Sequence, residues 1–327
     1  MFRHAIVLAA FIACGTSAIA DPSYISFQVP GATFTEPRAI NSAGDVTGSY
    51  LDEGYASHGF VRLHDGTIQT FDFDAPHSGI QPTRINDRGE IAGVVFDTRN
   101  DDARGFLRSP DGTIKAFKVP GTEALEITGL NNKGAVTGSK YDNSSSTTHG
   151  FVRKAGGALQ MFDIPEATRT GRSAINDNGT VAGVYFLDDF PYRGFIRDRT
   201  GAITTFDPPR DSFFNVVAIS NAGVIAGNML FDGGFVRAPN GTFTIFTVKH
   251  YSTFVQDMNA DGAITGTYVS GQNQRTHGFL RTPDGTITTF DYPTVNHYTY
   301  PVAINDSGVI TGDYIGDGGI FGFVRFP

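Results

Sequence analysis

The sequence predicts an all-β fold: a seven-bladed β-propeller of four-stranded antiparallel blades, closed by the N-terminal strand completing the last blade. Three observations carry that expectation. Gly-Phe-(Val/Leu/Ile)-Arg occurs seven times, from Gly59-Phe60-Val61-Arg62 to Gly322-Phe323-Val324-Arg325. Its period of roughly 45 residues is that of small units that bury their apolar faces only against neighbours. The last unit stops at Arg325-Phe326-Pro327 without a fourth strand, while Ser26-Phe27-Gln28-Val29-Pro30-Gly31 repeats the fourth-strand ending Ala116-Phe117-Lys118-Val119-Pro120-Gly121. A ring explains both ends at once, whereas an open array would need a cap.

The first twenty residues stand apart. Arg3 and His4 precede the apolar stretch Ala5 to Ala13, and Ala18-Ile19-Ala20 is a small-x-small cleavage site before Asp21. That is the pattern of a secretory signal peptide over 1–20, with the propeller expected over 21–327 and the protein secreted or periplasmic. Lipid on Cys14 is the weaker alternative, because Phe11 stands where Leu, Val or Ile is usual. Cys14 is the only cysteine, so no disulfide is expected despite export. Removing Arg3 leaves 24 basic against 33 acidic residues, a net −9. That surface argues against nucleic acid or anionic lipid as partner. No later run of apolar residues is long enough to span a membrane.

One unit serves for all. Pro37 to Asn41 reads as strand a, Asp45 to Tyr50 as b, His58 to Leu63 as c and Thr67 to Asp72 as d. Period-two apolar alternation broken by Asn, Asp and Gly is the strand-and-hairpin pattern. The blades are expected at about 31–76, 77–120, 121–165, 166–208, 209–248, 249–293 and 294–327 with 22–30. Gly44 and its equivalents close the a–b turn, where positive φ is cheap only for glycine. Gly48 and its equivalents lie inside strand b, where a close approach by another blade's backbone is expected. The phenylalanines of strands c and d are core.

These repeats resemble the HAF-repeat family of bacterial extracellular proteins, named for a His-Ala-Phe tripeptide. Here the tripeptide is His-Gly-Phe at His58, His149 and His277, preceded by Ile-Asn-x-x-Gly-x-(Val/Ile)-x-Gly. The resemblance spans residues 39–325 and implies an extracellular compartment and a repeat architecture, not a chemistry. Arg stands here where the family tends to have Trp.

Topology puts the a–b and c–d turns at one end of the ring and the b–c and d–a connections at the other. The first set is uniformly tight, for example Asp65-Gly66 and Asn240-Gly241. The second is long and variable, and binding residues concentrate on variable loops over a rigid scaffold. On that face His77, His250 and His297 occupy nearly equivalent places, with Tyr251, Phe254, Tyr298 and Tyr300 around them. Glu36, Gln81, Glu126 and Asn215 are expected near the central funnel. His250, His297, Tyr251, Tyr300, Glu36 and Glu126 are the candidates for acid–base work or metal binding. The alternative is solvated polar loops.

No cofactor is expected. Asp257, Asn259 and Asp261 match the start of an oxygen-ligand calcium loop, but Tyr268 stands where its bidentate carboxylate belongs. The His-Gly-Phe histidines read as structural. In four blades a basic residue precedes Gly-Phe and an Asp stands fourteen positions later in strand d, giving the pairs His58–Asp72, His149–Asp163, Arg193–Asp207 and His277–Asp291. Blade five has neither partner, and blade two, with Arg104 and Lys118, breaks the rule. A three-residue turn makes such positions directly opposed, a partly buried polar clasp. Two functions follow: a monomeric, non-catalytic binding or scaffold module for an extracellular polysaccharide or protein ligand, or a polysaccharide lyase or glycoside hydrolase. The absence of tryptophan weakens a sugar-stacking platform.

Overall fold

The structure, a computed structural model, describes residues 22–327 apart from 76–77, 98, 100–102, 122–123, 188–191, 211–212, 272–273 and 294–297. Among the described residues are 28 strands and no helix. Five sheets are four-stranded antiparallel meanders, and a sixth contains eight strands. The larger one divides into two antiparallel sets of four that touch through a single parallel bridge, Phe34 to Ile320. Twenty-eight strands thus fit seven units of four. Tyr24–Phe27 pairs antiparallel with Gly319–Arg325, Tyr24 opposite Arg325 and Phe27 opposite Gly322. The N-terminal strand therefore lies in the fourth-strand position of the last unit.

The asparagine ending each inner strand makes the turn and joins the sheets. Asn131 accepts the N–H of Ala135 at 2.9 Å with its side-chain oxygen, closing its own turn. Its amide donates to the carbonyl of Asn176 in the next sheet, also at 2.9 Å. The same reach runs from Asn41 to Asn86, Asn86 to Asn131 and Asn176 to Ser220. It continues from Asn259 to Asn305 and returns from Asn305 to Asn41. These buried bonds circle the axis, and satisfied buried amides fix the sheets' relative placement. The circle is interrupted once, where Ser220 has no amide to offer Asn259. There Asn228 substitutes, donating to Val255 O at 3.0 Å and accepting from Val255 N at 2.6 Å.

Each Gly-Phe-x-Arg motif is a packing device. Its phenylalanine is fully buried: Phe60, Phe106 and their five equivalents have no exposed surface. Its glycine makes room for the outer-strand ring, since a Cβ on Gly59 would stand 2.5 Å from Phe71. Its arginine crosses to the neighbouring sheet. Arg108 lies 4.8 Å from the Phe71 centroid, Arg153 4.8 Å from Phe117 and Arg325 4.7 Å from Phe290. A guanidinium stacks flat on an aromatic face where an ammonium would not.

The strand-b glycines depart from expectation. The backbone that approaches them belongs to the same sheet's inner strand, not to another blade. A Cβ on Gly138 would lie 1.9 Å from the Glu126 carbonyl, and one on Gly48 2.1 Å from that of Glu36. The cause is a bulge: register slips between Pro37 and Ala39, Ile127 and Gly129, and Val255 and Asp257, opposite those glycines.

Candidate ligand-binding channel

The bulges also shape the axis. An extra residue re-aims the inner strand, so Arg38, Thr128, Arg172, Val217, Gln256 and Val302 border the channel around which the sheets stand. The channel has three chambers. The upper, about 510 Å³, is lined by Arg38, Gln81, Arg172, Asn215, Phe254 and Gln256 among others. The middle one, about 200 Å³, has an aliphatic collar of Ile40, Ile85, Leu130, Ile175, Ile219 and Met258. The lower, about 240 Å³, lies among the a–b turns.

The upper wall differs from side to side. The first four sheets bring Arg38, Arg84 and Arg172 to the channel, whereas the last three bring Val217, Phe254, Gln256 and Val302. Arg38 bonds Glu36 at 2.6 Å and Arg172 bonds Glu126 at 3.2 Å. Arg84 is deep, and its Nη1 donates to Thr83 O at 2.8 Å. Asp257 accepts the Ile304 N–H at 3.0 Å, yet loss of hydration pushes its carboxyl up to about 6, opposed by that bond and by Arg84. Burial likewise raises Asp313, opposite Tyr300, to about 7, and Glu36 adds to the rise. Of these two raised carboxyls, Asp257 lines the middle chamber, and Asp313 stands on the second strand of the last sheet.

Of the sequence candidates, Gln81, Asn215 and Phe254 line the upper chamber. Glu36 and Glu126 stand behind it, holding Arg38 and Arg172. Tyr300 lies on the innermost strand of the last sheet, stacked 6.2 Å from Tyr298. His250 is exposed in the turn before Ser252–Met258, with φ +62. Tyr251 stacks on Tyr268, which in turn stacks on His277 at 5.0 Å. His250 and Tyr251 therefore belong to the rim, and neither lines a chamber. His77 and His297 lie outside the described residues. Asn259 is committed to the Asn305 carbonyl and the Ala263 N–H, and Asp261 is exposed. Among the described residues no three His, Cys, Asp or Glu side chains cluster as a metal site.

The four pairs are in contact. His58 Nδ1 is 2.7 Å from Asp72, and His149 and His277 are each 2.8 Å from Asp163 and Asp291. Arg193 bonds Asp207. The contacts sit nearer the surface than expected, because the carboxylates are more than half exposed. His58 also reaches Asp52 at 3.4 Å.

Sequence reasoning missed Arg38, Arg84, Arg172 and Asp313. For Arg38 and Arg84 the available signal was proline: Pro37 and Pro82 each precede the irregularity in their strand, and proline inside a sheet marks an edge or a bulge. Nothing of the kind marks Arg172 or Asp313.

No protein-family model matches the chain, and no curated protein matches it. Solved structures do. Virginiamycin B lyase from Staphylococcus aureus superposes with a TM-score of 0.64 at 12% identity, covering 94% of this chain and all of that one. A streptogramin B lyase gives 0.63 at 13%, covering 92% and 97%. The β-propeller domain of the Trilobed protease from Pyrococcus furiosus gives 0.64 at 10%, covering 90% and 95%. At such identities the likeness concerns fold: this chain is a β-propeller.

Proposed function

We propose that this is an exported seven-bladed propeller, closed by Tyr24–Phe27, that acts as a non-catalytic binding module for an extracellular ligand. The ligand enters from the b–c and d–a loop face. The contrast between the ends of the channel carries this reading. The tight-turn end is bound into a circle of amide–carbonyl bonds, which serve structure. The upper chamber of about 510 Å³ is lined by side chains that differ from sheet to sheet, and unlike, converging polar groups around one aromatic face are what recognition needs. Phe254, 39% exposed, supplies that face. Screening the exported chain against immobilised polysaccharides and peptides tests it. Phe254→Ala should weaken the bound ligand tenfold or more, and Asp65→Ala at the opposite end should leave it unchanged. Binding lost with Asp65→Ala and kept with Phe254→Ala would reverse the assignment.

One observation favours a polysaccharide-active enzyme as the second reading. Asp257 and Asp313, with values of about 6 and about 7, are suited to proton donation near neutrality. Among the neighbours, a catalytically inactive virginiamycin B lyase is held with quinupristin, so a propeller of this kind can house a reaction. Turnover of an acidic or neutral polysaccharide that disappears in Asp257→Asn and Asp313→Asn would select this reading over the first.

A further inference from the structure

Resting on the channel-mouth reading, we propose that Arg84 anchors a carboxylate carried by the ligand. Arg84 lines both the upper and the middle chamber, at the level where the aliphatic collar begins. Among the described residues the one hydrogen bond of its guanidinium runs to the carbonyl of its own neighbour Thr83, and Asp257 acts on it through space rather than as an ion pair. Arg38 and Arg172 differ, each being bridged by a glutamate. A guanidinium has five N–H donors, and withdrawing one from water without a counter-ion is costly. Arg84 is held at a position open to two chambers, where Asp257 attracts it through space without bonding it and Arg172 and Arg38 add like charge. A planar carboxylate reaching down from the upper chamber would satisfy the fork with two parallel bonds.

The surroundings select among anions. Asp257 from the sixth sheet lines the middle chamber with Arg84, while Glu36 from the first sheet and Asp313 from the last act on Arg38, and Glu126 from the third holds Arg172. Those carboxyls oppose a dianionic phosphate more than a monoanionic carboxylate. They also make the site sensitive to acid. Asp257 and Asp313 lose their charge as the pH falls through about 6 and about 7. A ligand carboxyl of ordinary pKa, about 3.5, stays ionised there. Carboxylate binding therefore strengthens toward pH 5.5.

Calorimetry on the full exported chain at pH 5.5 and pH 8 tests the assignment with two carboxylate sources. One is digalacturonate against its neutral methyl ester; the other is an N-acetylated tripeptide with a free C-terminus against its amide. One of the two acids should bind, tenfold or more tighter than its neutral form and tighter at pH 5.5 than at pH 8. Arg84→Gln should abolish that preference, and Asp257→Asn should flatten the pH dependence by raising affinity at pH 8. If Arg84→Gln fails to fold, the neutral forms and the Asp257→Asn profile carry the test. Equal binding of acid and neutral forms, or a folded Arg84→Gln that binds as the parent does, would overturn the inference. Equal binding that still depends on Phe254 would leave the channel-mouth reading standing. No binding by either acid removes the carboxylate anchor, whatever else binds.

Discussion

The guanidinium of Arg62 lies 5.2 Å from the ring centroid of Phe27, across the junction where the two ends of the chain meet. Phe27 is on the N-terminal strand and pairs opposite Gly322, while Arg62 belongs to the first complete sheet. The same arginine-on-phenylalanine contact recurs between neighbouring sheets, as in Arg281 over Phe246 at 5.0 Å. The joint that closes the chain is therefore built like the joints within it, and the N-terminal strand bears as much of the packing as any other outer strand.

Removing that strand should accordingly damage more than one sheet. Phe27 is 8% exposed and packs with Phe60, Val46 and Val324. Phe27→Ala should cost about 3–5 kcal/mol, the range for a buried phenylalanine. Deleting residues 22–31 should cost more, because it also bares the edge of Gly319–Arg325. Chemical denaturation of the two variants beside the parent measures both. A truncated chain with an unchanged midpoint would remove the closure.

The interruption at Ser220 offers a gain rather than a loss. Every other asparagine in the circle passes an amide to the next inner strand, and Ser220 cannot. Ser220→Asn should let the side chain reach the Asn259 carbonyl, adding about 0.5–1.5 kcal/mol as one net buried hydrogen bond. Asn131→Ala should do the reverse and cost about 1–3 kcal/mol, because the Asn176 carbonyl and the Ala135 N–H lose their partner. Thermal melts of the two variants should move in opposite directions. A Ser220→Asn variant no more stable than the parent would mean that Asn228 already does that work.

The repeat unit, the closing strand and the opposed His58 and Asp72 could be read from the sequence because each depends on counting along one or two adjacent strands. Relations between sheets could not. Arg62 meets a ring 35 residues earlier, and no periodicity reports how a side chain is aimed from one sheet to the next. The bulges were hidden for a related reason: one extra residue in an inner strand leaves the repeat length intact but turns Arg38 and Arg172 toward the axis. The strand-b glycines were recognised as signs of close approach, but the neighbour was misassigned, because a bulge brings the same sheet's carbonyl closer than another sheet's backbone.

His58 gives a pH signature. Burial works against its charged form, but the bonds to Asp72 and Asp52 outweigh that and raise its pKa above the ordinary 6.5. A raised folded-state value means that its contribution is complete below the unfolded pKa and fades as pH rises through the folded one. Asp72 is 59% exposed, so the contribution is small, under about 1 kcal/mol. His58→Gln should therefore cost more at pH 5.5 than at pH 8.5 in paired denaturation curves. An equal or larger cost at pH 8.5 would assign the pair a role in packing rather than charge.

Asp257 carries the opposite sign and the larger effect. Its carboxyl is raised from 3.8 to about 6, chiefly by loss of hydration, so the folded protein holds a proton that the unfolded chain has released. Stability then falls as pH rises between about 4 and about 6, and the penalty is fully present above that window. Asp257→Asn keeps an oxygen to accept the Ile304 N–H and removes the charge. The variant should melt at a higher temperature than the parent at pH 7.5 and at the same temperature at pH 4. The gain is on the order of 1–3 kcal/mol, and the value of about 6 already contains the attraction of Arg84. If the variant is instead less stable at pH 7.5, the Arg84–Asp257 attraction exceeds the desolvation cost. Arg84 would then have a counter-ion of its own, and its claim on a ligand carboxylate would weaken with it.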